Sequence, residues 1–149
     1  MNSAKPVADV FKTKIVSIDF APAGDRMDLA VAEKVMGWRP VGFCRSRDMF
    51  YTTADDDLSK AVDLPYFSTL RLPALEIVDH MTARGWGVRL SDTSGFGDVW
   101  WAELFYDGTT YTGFGLSEDG VVIQCSLPLA ICRAALKACG VTELEIPDD

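Results

Sequence analysis

Apolar residues recur at helical spacing in three stretches of the chain and at strand spacing through most of the remainder. In the first stretch Leu29, Ala32, Val35 and Met36 share one helical face, and Asp25 or Asp28 stands where an N-cap belongs. Gly37 occupies the place of a left-handed C-terminal residue, and Trp38 follows, placed to fold back onto the helix end. A second helix is predicted to begin between Ser68 and Leu72 and to run to Arg84, with Gly85 ending it. Its Ala74, Ile77, Val78 and Met81 follow the i, i+3, i+4, i+7 spacing of a buried stripe. Pro73 fits only in the first turn, where amide hydrogens have no helical acceptor, and this puts the cap near Ser68, Thr69 or shortly after. The third helix is predicted from Ser126–Pro128 to Gly140. Leu129, Cys132, Leu136 and Cys139 form one stripe and Ile131, Ala135 and Ala138 another, a wide face of small residues suited to close packing on a sheet. Arg133 and Lys137, one turn apart, are expected at the solvent margin.

Between the helices the period changes to two. Ile15, Val16, Ile18 and Phe20 predict a strand bounded by Ala21-Pro-Ala-Gly24. Val41 to Phe43 and Met49 to Thr52 predict short strands joined by the charged turn Arg45–Asp48, followed by a polar loop from Ala54 to Lys60. After the second helix come Trp86, Val88 and Leu90, then the β-prone run Val99–Tyr106. Asp107-Gly108 is the two-residue signal for a tight hairpin into Thr109–Leu116. A further turn at Ser117–Gly120 leads to a fourth predicted strand, Val121–Cys125. Helices with an antiparallel meander give an α+β layered sandwich of about three helices on one sheet, in contrast to the βαβ units of nucleotide-binding sheets.

Two end motifs sharpen this picture. Asp28-Leu-Ala-Val-Ala-Glu-Lys-Val-Met-Gly-Trp38 and Pro128-Leu-Ala-Ile-Cys-Arg-Ala-Ala-Leu-Lys-Ala138 together resemble the signature of the phage ABA-sandwich domain, a family of small phage and prophage proteins. The resemblance covers roughly residues 27 to 140. It implies the same layered fold and a phage or prophage origin, and it brings no biochemical role with it. On this reading residues 1–26 are an N-terminal extension able to add an edge strand, and residues 27–149 are a single α+β domain. Pro65-Tyr-Phe-Ser-Thr69 resembles the family's central Tyr-Ser-Thr-Asp run, with Phe67 inserted and Leu70 where an acidic residue is usual.

Composition narrows the function classes. The 149 residues suit one domain with a sizeable core, and 48% apolar against 24% charged residues is an ordinary globular balance. No apolar run approaches the roughly 18–20 residues that cross a bilayer, and the N-terminus has no signal-peptide-like stretch. A cytoplasmic location in the bacterial host is expected. The net charge of −8 repels phosphate backbones, so direct nucleic-acid binding is not expected. Cys44, Cys125, Cys132 and Cys139 are too scattered for a disulfide framework, and Cys132 and Cys139 would stand roughly 10 Å apart along a helix. They read as core thiols. With His80 the only histidine, and with no C-x-x-C pair, no metal site or cofactor is expected.

Six residues are candidate binding groups. Tyr66, Ser68 and Thr69 place hydroxyls beside the free amides of a helix start, an anion or carbonyl pocket in principle, although a plain helix cap uses the same residues. Trp38 is adjacent in the expected fold. In Trp100-Trp101 the rings must point to opposite sheet faces, so one is available to a ligand or partner if helices cover a single face. Gly95-Phe-Gly97 and Gly113-Phe-Gly115 lack the continuation of a phosphate loop and read as a hairpin loop and a bulged strand. The triplet Asp55–Asp57 lacks the alternation of a calcium loop. The expected function is that of a non-enzymatic accessory protein that binds a host protein or a small intracellular molecule, with self-association left open. The alternatives are an enzyme acting on a phosphorylated or nucleotide-like ligand through His80, Ser68 and Thr69, and a structural component of the virion.

Overall fold

The computed structural model describes residues 12–44, 49–55, 57–92, 99–115, 119–121 and 123–148. Three antiparallel sheets and three helical segments make up an α+β sandwich. Strand β1 (Thr13–Ser17) leads through a 3-10 turn at Ile18–Phe20 into helix α1 (Asp25–Ala30), which continues as a π turn over Val31–Val35. Strands β2 (Arg39–Cys44), β3 (Met49–Thr53) and β4 (Val62–Asp63) form one sheet. Helix α2 (Arg71–Ala83) precedes the sheet of β5 (Gly87–Asp92), β6 (Trp100–Tyr106) and β7 (Thr109–Gly113). Helix α3 (Leu127–Ala138) then crosses the core, and β8 (Glu143–Pro147) returns to pair with β1.

Helix α3 is the hub. Every residue from Ala130 to Leu136 is buried, so the helix is enclosed on all sides rather than lying on a surface. Ser126 caps it by accepting the Leu129 amide at 3.3 Å, and Gly140 leaves it at φ +88°. Its small residues permit an unusually close approach to β7: a Cβ on Gly113 would lie 2.0 Å from the Ala130 carbonyl oxygen. Gly113 therefore serves a backbone contact, not a phosphate loop. The seam between α2, α3 and the sheet, lined by Ile77, Val88, Leu104 and Ile131 among others, leaves a cavity of about 10 Å³, barely one water.

Several expectations change. The fourth strand does not form: among described residues of that stretch only Cys125 makes a β-bridge, parallel to Val99. A strand with no counterpart among the predicted elements, β8, forms beyond the last helix and pairs with β1. The first strand ends at Ser17 instead of continuing to Phe20, and Ile18 turns into the core. Arg133 is buried, not marginal. The cap of α1 is Gly24, and Asp28 lies inside the helix with its carboxylate buried. The expected turn at 45–48, the Gly95–Gly97 loop and the first half of the turn at 117–120 lie outside the described residues.

Candidate functional site

The turn between β4 and α2 is built around two buried anchors. Phe67 is fully enclosed, and its ring lies 5.7 Å from that of Trp38. Trp38 reaches this position because Gly37, at φ +73°, reverses the chain after the π turn, and the Trp38 amide donates to the Ala32 carbonyl at 2.7 Å. Ser68 is the second anchor. Its amide and hydroxyl both donate to Asp28 Oδ1, at 2.7 and 2.6 Å, while its oxygen accepts the Gly24 amide at 2.9 Å. One carboxylate on α1 thus fixes the loop that enters α2.

That placement decides which side chains remain outward. The Tyr66 carbonyl accepts the Thr69 and Leu70 amides, closing the turn, and Leu70 in extended conformation is the true N-cap of α2. Neither Ser68 nor Thr69 caps the helix. With the Ser68 hydroxyl directed to Asp28, it is Tyr66, Leu70 and Leu72 that face solvent, at 53%, 52% and 78% exposure, with Leu75 one turn further on. Thr69 is exposed beside them. Three large exposed apolar side chains within seven positions, with Leu75, form an apolar surface at the start of a helix.

The two adjacent tryptophans diverge as strand geometry requires. Trp100 packs at the margin of the core, with the Arg71 guanidinium 5.4 Å from its ring centre, which joins it to the first residue of α2. Trp101 stacks on Phe114 at 4.5 Å and 18°, and its indole donates to Glu103 Oε1 at 2.7 Å. Trp38, Tyr66, Ser68 and Thr69 are thereby gathered at the entry to α2, with Trp100 linked to it through Arg71. Trp101 stands apart from them.

The electrostatics centre on buried groups. Burial is the main cause that pushes the Asp28 carboxyl up from 3.8 to about 6, opposed by the hydrogen bonds from Ser68. The Arg133 guanidinium donates to the carbonyls of Phe114 and Ala21, each at 2.7 Å, and burial lowers its pKa. Burial also holds the Cys132 thiol well above its usual value, as an inert core group. His80 is half-buried, its Nδ1 lies 3.1 Å from Arg84 Nη1, and burial with that neighbouring charge lowers its pKa. Among the described residues no three of His, Cys, Asp or Glu are grouped as metal ligands.

Both buried charges had a signal in the sequence. Asp28, Ala32 and Val35 are spaced i, i+4, i+7, so Asp28 shares the apolar face that the helix buries. Arg133 shares a face with Leu129 and Leu136 by the same spacing.

Comparison with known proteins bears on the fold. The family model described as the phage ABA sandwich domain matches residues 29–136. A 2.0 Å crystal structure of a phage protein from Bacillus cereus ATCC 14579 superposes with a TM-score of 0.55 at 18% identity, covering 78% of this chain and 92% of that one. Among curated proteins no sequence matches.

Proposed function

Because the chain belongs to the phage ABA-sandwich domain family, we propose that it is a phage-encoded, non-enzymatic accessory protein that captures a host protein through the apolar surface at the start of α2. The observation that carries this reading is the outward placement of Tyr66, Leu70 and Leu72 on a turn fixed from behind by Asp28 and Phe67. Exposed apolar side chains on a rigid support are what protein recognition uses, because little ordering entropy remains to be lost on binding. Trp38 is a supporting element of the same surface, and Thr69 supplies a hydroxyl at its rim. Trp100 belongs to it by way of Arg71.

The enzymatic alternative gains no support from the geometry. The Ser68 hydroxyl is occupied by Asp28 and Gly24, and His80 lies nine residues beyond Arg71 on α2, about 14 Å along the helix axis. The test is affinity capture from host lysate with the wild-type protein and with a Leu72→Glu/Tyr66→Ala variant, each shown to be folded by circular dichroism. A host protein retained by the wild type and lost by the variant supports the reading. Retention by both removes this surface from consideration. No membrane partner is invoked: no helix among the described residues is long and apolar enough to cross a bilayer.

A further inference from the structure

At the opposite end of α2, about 20 Å from that surface along the helix axis, the sheet carries an open depression of about 630 Å³. It is lined by Gly85, Trp86, Gly87, Phe105, Tyr106 and Asp107. The glycines give it its form. A Cβ on Gly87 would lie 2.1 Å from the Phe105 ring and one on Gly85 would lie 3.4 Å from the Tyr106 ring, so both aromatic side chains lie down across the glycine backbone. Trp86 and Tyr106 pack against each other at 5.5 Å between centroids, with Tyr111 behind Trp86 at 5.9 Å. Tyr106 and Phe105 nonetheless remain 53% and 38% exposed. Asp107, at φ +51° in the hairpin turn, brings a carboxylate to the rim, and it has no hydrogen bond or ion pair among the described residues.

We infer that this depression receives the guanidinium of an arginine side chain presented by a partner protein. A carboxylate beside the faces of electron-rich rings is the arrangement that attracts an organic cation; the lining residues include no Lys or Arg, and Trp86 and Tyr106 supply the rings, since the Phe105 ring already carries the Arg89 guanidinium at 5.7 Å. Two arginines close to the lining residues in sequence are already engaged: Arg84 turns back onto His80, and Arg89 pairs with Glu103 at 3.2 Å. The overall charge of −8 favours approach of a basic partner. A planar guanidinium stacks on such faces better than a compact, strongly hydrated ammonium does, as Arg71 over Trp100 and Arg89 over Phe105 illustrate among the described residues. The open shape suits a side chain carried on a protein surface better than an enclosed metabolite. This site is independent of the surface at the start of α2, and either can fail without the other.

The test titrates the 15N-labelled protein with a blocked Gly-Arg-Arg-Gly peptide in the millimolar range, following the Gly85, Gly87 and Gly108 amides and the Trp86 indole. Saturable shifts at these signals are expected. The same peptide with citrulline for arginine should give none, and its lysine counterpart should bind about two- to fivefold more weakly. Asp107→Asn, which preserves the turn, should weaken arginine-peptide binding by a similar factor, and so should Tyr106→Ala. Absence of shifts, equal shifts with citrulline, equal affinity for lysine, or an unchanged affinity in a folded Asp107→Asn protein would each overturn the inference.

Discussion

Asp28 Oδ1 receives both the amide and the hydroxyl of Ser68, forty positions away, in a site where Asp28 is 1% exposed and Ser68 not at all. This pair joins the first helix to the turn that presents Tyr66 and Leu70. Its position is what makes a short loop rigid, and its chemistry gives the protein a titratable core.

The carboxyl of Asp28 titrates near pH 6 in the native protein against 3.8 unfolded, so the native state holds its proton more tightly. Stability from this group is complete below about pH 4, falls as the pH rises through about 6, and the loss amounts to about 3 kcal/mol at neutrality. Asp28→Asn keeps the acceptor for both Ser68 bonds and removes the charge. It should raise stability at pH 7 by about 1–3 kcal/mol and flatten the slope between pH 4 and 6. Urea unfolding of both proteins at pH 4.5 and 7 measures this; a variant with the wild-type slope would assign the slope to other groups.

Ser68→Ala tests the other partner. It removes the hydroxyl donor to Asp28 and leaves the Gly24 amide without its acceptor. A loss of about 1–3 kcal/mol is expected. Because Ser68 itself does not face solvent, partner capture by the folded fraction should persist, whereas Leu72→Glu should abolish capture at unchanged stability.

How much of this was legible can be judged from particular residues. The helices were readable because caps and periodicity agree: Pro73 in the first turn of α2, Ser126 before α3, and Gly37, Gly85 and Gly140 at positive φ after the helix ends. The Asp107-Gly108 hairpin was readable because a two-residue turn needs positive φ at both positions, and these have +51° and +82°. For the buried charges the helical spacing places Asp28 and Arg133 on apolar faces, but what admits the charge was not readable, because the Ala21 and Phe114 carbonyls that satisfy Arg133 come from distant segments. Strand β8 carries little apolar signal because Glu143, Glu145 and Pro147 are its exposed half and only Leu144 and Ile146 turn inward. In the candidate site, Trp38 and the turn at Tyr66–Thr69 were found together, but Leu70 and Leu72 were not, since an exposed leucine has no signature in sequence.

Gly113 offers a sharp packing test. Gly113→Ala puts a methyl 2.0 Å from the Ala130 carbonyl oxygen and 2.7 Å from the Ala134 amide, both backbone atoms of a buried helix that cannot swing aside. A loss of about 3 kcal/mol or more is expected. Gly42→Ala in β2, with open space around the new methyl, should stay within about 0.5 kcal/mol. Equal melting temperatures for the two variants would show that α3 can slide over β7.

The last question is where the folding unit begins, because the family match starts at residue 29 while the first helix starts at Asp25. Upstream of both, Ile18 is fully buried and its amide donates to the Thr142 carbonyl at 3.0 Å. Beside it Lys137 reaches Asp19 at 2.8 Å, Arg133 holds the Ala21 carbonyl, and β1 pairs with β8 in register from Thr13–Pro147 to Ser17–Glu143. These contacts tie residues 13–21 to the central helix and to β8. If they are part of the cooperative unit, Ile18→Ala costs about 2–5 kcal/mol, the range for a core isoleucine. It does so in a single unfolding transition shared by near- and far-ultraviolet circular dichroism. A separate early transition, with the main one unmoved, would instead make the segment an appendage docked on an independently stable domain.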